Sequence, residues 1–184
     1  LLKMLDMSGQ GDFQQNFEEL NITPMSISYE IEPCDILKAR EILISRTQKY
    51  VKAKGEDFNS IMVGIMQPKG NIHLHIGKPL TAEEIAQAAN CDKNDRYQYI
   101  RAAVDRRVIE GYKLWPNNYV AYDILKQTDK YASQYTAEDK AKFIGYMEHQ
   151  LGTVEPELNK DDLREVFLGI YANPVVSKET LSEN

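Results

Sequence analysis

The side chains best suited to chemistry in this chain are three histidines and two serines. His73 and His75 stand as His-x-His in a run of alternating apolar residues, so a strand would put both imidazoles on one face, roughly 7 Å apart. Two imidazoles so placed can share a divalent metal. No cysteine, aspartate or glutamate lies close by in sequence to complete the set, so the pair reads as the polar face of a strand and no metal is expected. His149 follows Met147 in an acidic helical stretch and reads as a surface histidine. Ser26 and Ser28 flank Ile27 on the polar side of another alternating run. A serine nucleophile needs a base and an oxyanion hole within reach. The Gly-x-Ser-x-Gly turn that presents such a serine is missing, which leaves pocket-lining or solvated serines. Arg96, Arg101, Arg106, Arg107 and Lys113 stud one helical stretch among Asp95, Asp105 and Glu110. They form either a phosphate-facing surface or a solvated face laced by pairs such as Arg101–Asp105 and Arg106–Glu110. No glycine-rich phosphate loop occurs.

Composition narrows the partners. With 42% hydrophobic and 27% charged residues in 184, the chain is an ordinary globular sequence rather than a disordered one. A net charge of -6 argues against nucleic acid, because phosphate backbones demand an excess of Lys and Arg. The charge is uneven: residues 120–184 hold 12 acidic and 7 basic residues, whereas the front is nearly neutral. Cys34 and Cys91 make no disulfide framework and read as free thiols. No apolar run reaches the length of a membrane span, and no signal peptide opens the chain.

The residues above must be positioned by elements, and these can be read from periodicity. Leu1–Met7 reads as a helix end, broken at Gly9-Gln10-Gly11, and Phe13–Leu20 as a short helical turn. Ile22–Ile31 alternates as a strand with Met25, Ile27, Tyr29 and Ile31 on a buried face and Ser26 and Ser28 on a polar one. A helix is predicted over 34–53. Strands are predicted at Phe58–Gln67 and Asn71–Lys78, joined into an antiparallel hairpin by Pro68-Lys69-Gly70. Thr81-Ala82-Glu83-Glu84 is a capping box. A long helix is predicted over 94–115, with others at Tyr119–Gln127, Ala137–Leu151 and Lys160–Tyr171, capped at Thr136 and Asn159. The last ten residues read as frayed. The expectation is therefore an α/β fold: the C-terminal part of a mixed sheet of three strands, including one hairpin, over residues 1–90, followed by a mainly helical extension over 91–184.

Three segments carry a resemblance. Asn21-Ile22-Thr23-Pro24-Met25-Ser26-Ile27-Ser28-Tyr29 resembles the fourth conserved block of the bacterial-type glycerol-phosphate and 1-acylglycerol-3-phosphate acyltransferases, an apolar strand carrying a proline. Asn71–Leu80 resembles the strand ending in Gly-x-Pro that closes the same domain, and Leu1-Leu2-Lys3-Met4 the helix after the third block. The family's base is a histidine followed, after four residues, by an aspartate. Here the positions five beyond the three histidines are Lys78, Leu80 and Val154, so that box is absent. Glu110-Gly111-Tyr112-Lys113 imitates the third block but lies far downstream, within a helix pattern.

The resemblance implies a portion of a phospholipid-biosynthesis acyltransferase, inactive by itself because it lacks the catalytic box. The whole enzyme would move an acyl group from acyl-CoA or acyl-carrier protein to a glycerol-phosphate-type hydroxyl without a cofactor. It would be cytoplasmic, with peripheral contact at the inner face of the membrane. Pro24, Ser26 and Ser28 would line the acceptor side, with no catalytic residue supplied by this chain. A sheet short of strands would also self-associate. The alternative reading is a non-enzymatic α/β interaction module with a helical partner-binding tail.

Overall fold

The structure is a computed structural model that describes residues 2–6 and 11–183. Helices dominate. In chain order they are α1 (Leu2–Leu5), α2 (Phe13–Leu20), α3 (Asp35–Thr47), α4 (Glu56–Met66), α5 (Ala82–Ala89), α6 (Asp95–Gly111), α7 (Pro116–Lys126), α8 (Ala137–Leu151) and α9 (Lys160–Ser182). Two strands, β1 (Met25–Tyr29) and β2 (Ile72–Ile76), form a two-stranded sheet. The pairing is antiparallel: Gly77 N–H donates to the Pro24 carbonyl and Glu30 N–H to that of Asn71.

This corrects the expectation of an α/β fold with a three-strand mixed sheet. The predicted strand at Phe58–Gln67 is helix α4, so no hairpin forms. The apolar run Ile61-Met62-Val63 invited a strand reading. Phe58, Ile61, Met62, Ile65 and Met66, however, follow steps of three and four, the helical period. Glu56 and Asp57 occupy the first turn, where negative charge suits the helix dipole. The Glu56 carboxylate also accepts from the Tyr50 hydroxyl and the Ala53 N–H. Gly70 keeps its positive φ of 61°, but the turn it makes links a helix to a strand.

Other boundaries shift by a few residues. The helix predicted over 34–53 ends at Thr47, and the one over 94–115 ends at Gly111. Helix α9 runs past Tyr171 to Ser182 with Pro174 inside it. A helical proline costs about 3 kcal/mol in an exposed helix. Here burial of Ala172 and Val175 opposes that cost, and the Asn118 amide donates to the Tyr171 carbonyl at 2.8 Å in the turn before the proline. The predicted break at Gly9-Gln10 and the end of the first helix at Met7 lie outside the described residues.

The described residues divide into two compact units. One gathers those before Tyr29 together with His73–Lys113, and the other Tyr29–Ile72 together with those from Leu114 on. The first unit packs Phe13, Phe17, Leu80, Ile85, Ala88 and Ile100 into a small core between α2, α5 and α6. Asp6 accepts from the Tyr97 hydroxyl at 2.6 Å and from the Asn16 amide at 3.1 Å. The second unit packs α3, α7, α8 and α9 around Leu43, Val120, Phe143, Leu163, Phe167 and Tyr171. Among the described residues no helix is long and apolar enough to cross a membrane.

Candidate functional site

The sheet is inverted relative to its sequence pattern. Counting inward from the Pro24–Gly77 and Glu30–Asn71 bonds sets Ser26 opposite His75 and Ser28 opposite His73. All four side chains therefore share one face, since alternate residues of a strand point the same way. Ser26 and Ser28 are buried at 6% and 9% exposure, and Pro24 is buried beside them. The other face carries Met25, Ile27, Ile72, Leu74 and Ile76, each 53% to 63% exposed. The expectation that Met25 and Ile27 face a core is overturned. The cause lies at the end of α6, which takes the polar face. Ser28 Oγ accepts the Lys113 N–H at 2.8 Å, and the ring of His75 lies against Gly111 so closely that a Cβ there would sit 2.1 Å from its Cδ2.

The serines proposed for the acceptor side differ in their bonding. Ser28 is held by Lys113, whereas Ser26 Oγ has no hydrogen-bond partner among the described residues. His149 is exposed on α8, as read from sequence. Among the described residues no group of three or more His, Cys, Asp and Glu side chains is placed to hold a metal ion.

Where β2 ends, a cleft of about 550 Å³ opens within the first unit. Its walls include His75 and Lys78 beside the strand, Glu84 of α5, and Arg106, Arg107 and Glu110 of α6. Arg107 donates from one terminal nitrogen to both Glu84 oxygens at 2.7 and 2.9 Å, and from the other to the Ala103 carbonyl at 3.0 Å. Burial pushes the Glu84 carboxyl up, but the Thr81 N–H, the Arg107 guanidinium and the Thr81 hydroxyl outweigh it and hold it below the usual carboxylate range. Glu84 thus completes the capping box of α5 and anchors Arg107 together. Two other basic residues of α6 have outlets elsewhere: Arg96 stacks on Phe13 at 4.8 Å, and Arg101 faces Asp105 at 4.0 Å.

The second unit holds two features that the sequence reading did not single out. Helix α4 turns Ser60 and Gly64 toward the Cys34 sulfur and leaves Phe58, Ile61, Met62, Ile65 and Met66 exposed along one stripe. Its helical spacing was the available signal. The other is Asp35, 1% exposed, whose carboxylate accepts from Tyr171 OH at 2.6 Å, Tyr146 OH at 2.8 Å and the Ile36 N–H at 2.6 Å. Its hydroxyl partners lie more than a hundred residues downstream, so no local pattern reveals them. Burial raises the Asp35 pKa against the lowering effect of those three bonds, and burial together with the Asp35 charge raises both tyrosines.

No protein-family model, no curated protein and no solved structure matches this chain.

Proposed function

We propose that this chain is the non-catalytic portion of an acyltransferase of the glycerol-phosphate and lysophosphatidate kind, and that its apolar sheet face seats the portion carrying the histidine base. The observation that carries this reading is the inverted sheet. A two-stranded sheet is marginal by itself, and one that turns five large apolar side chains outward calls for a cover. β1 holds the Pro24 strand of the family resemblance and β2 the strand leading to Gly77-Lys78-Pro79, now paired side by side. The exposed stripe of α4 supplies a second apolar surface of the same kind.

In this reading a thioester donor, acyl-CoA or acyl-carrier protein, meets a glycerol-phosphate-type hydroxyl at a site completed by the other portion. There the base removes the hydroxyl proton as the oxygen attacks the thioester carbonyl. Cytoplasmic location with peripheral contact at the inner membrane face belongs to the same proposal. The test is twofold. The purified chain is expected to show no transfer to glycerol 3-phosphate or its lyso derivative, and the coding region upstream is expected to hold a His-x-x-x-x-Asp box. Turnover by the chain alone, or an upstream frame without that box, overturns the reading. The outward apolar faces also suit a non-enzymatic interaction module, and the upstream sequence separates the two.

A further inference from the structure

We propose that the cleft beside the end of β2 is a binding site for a phosphomonoester group. The argument is one of charge and size within the first unit. Glu84 is already neutralised, because Arg107 holds both its oxygens. Lys78 and Arg106 face the same cleft, both exposed, and neither has a salt-bridge partner among the described residues. Glu110, one turn along α6 from Arg106, lines the cleft as well. An ammonium and a guanidinium lining one cleft present a point charge and a planar fork, which together suit the tetrahedral oxygens of a dianion. The His75 imidazole borders the same space and adds a donor on the strand side. A volume of about 550 Å³ lies in the range of small-molecule sites rather than of a single ion or a polymer.

Arg107 has the positioning part. Its bond to Glu84 ties α5 to α6 across the cleft, and its bond to the Ala103 carbonyl within α6 fixes the guanidinium on the wall from which Arg106 projects. The inference rests on these charges alone and stands whether or not the acyl-transfer reading holds.

Calorimetric titration of the full chain with inorganic phosphate and with glycerol 3-phosphate at low ionic strength tests it. Saturable binding is expected, weakening as salt rises. Lys78→Ala and Arg106→Ala are each expected to weaken it roughly tenfold, in line with a lost charge-assisted hydrogen bond. Arg101→Ala, on the same helix but outside the cleft, is expected to leave it unchanged. All three residues are exposed, and circular dichroism checks that each variant folds. A parallel arm uses vesicles with and without phosphatidic acid. If only the phosphatidic acid vesicles bind, and the Lys78 and Arg106 variants release them, the phosphate belongs to a lipid headgroup and the proposal holds. No binding to any of these probes, or binding indifferent to Lys78 and Arg106, overturns it.

Discussion

Ser26 and Ser28 sit two residues apart on one buried face and should respond in opposite ways to the same change. Ser28→Ala removes the acceptor of a part-buried bond from the Lys113 N–H and is expected to cost about 0.5–1.5 kcal/mol, the usual net worth of such a bond. Ser26→Ala removes a buried hydroxyl that has no partner among the described residues, so it is expected to be neutral or slightly stabilising. Urea denaturation of both variants distinguishes the two roles. Asp35 offers a second comparison. Its carboxyl is raised in the folded state, so the folded chain binds a proton more readily than the unfolded one. The stability it contributes is fully present below the ordinary carboxylate pKa and is lost as pH rises through the raised value. The stability of the native chain minus that of Asp35→Asn is therefore expected to fall as pH is raised from about 3.5 toward neutrality. A difference that grows with pH would mean that the tyrosine hydroxyls outweigh burial.

At the level of elements, Gly111 is the tightest fit. Adding a methyl group there drives into the His75 ring at a point where the helix backbone cannot yield, and about 1–3 kcal/mol is the expected cost of Gly111→Ala. Combining it with His75→Ala should recover much of that loss, a coupling that a double-mutant cycle measures. Helix α4 is the contrary case. Ile61→Gln and Ile65→Gln alter exposed positions, so each should change stability by no more than about 0.5 kcal/mol.

The elements that local sequence decides were legible in it. The capping box at Thr81 and the caps at Thr136 and Asn159 all form, and the helix at Ala137–Leu151 keeps its predicted bounds. Helix α4 was misread because its apolar residues are nearly contiguous as well as helically spaced. The inversion of the sheet was illegible for a different reason. Alternation reveals that two faces differ, but only the packing of α6 decides which is covered. The cleft has the same origin: His75, Lys78, Glu84 and Arg106 become neighbours only when β2, α5 and α6 meet.

At the level of the whole molecule, a sheet of only two strands among the described residues and its outward apolar face predict association. Sedimentation velocity over a concentration series is expected to show reversible growth in mass, suppressed when Ile27 and Leu74 are both changed to Lys, since charge on an open sheet discourages pairing. A strict monomer at high concentration would count against these faces as docking surfaces.

The interleaving of the two units along the chain also bears on how the protein is made. The first unit needs residues on both sides of the segment 29–72 and is complete once Lys113 has left the ribosome, while the second still waits for α7, α8 and α9. Its early piece, which includes α3 and the apolar helix α4, must spend that interval without its packing partners. Synthesis proceeds at about 5–20 residues per second, so the delay lasts several seconds. During translation this is the stretch most in need of a chaperone, and ribosome-bound chains halted once Lys113 has cleared the exit tunnel should display a folded first unit beside a protease-sensitive 29–72 segment.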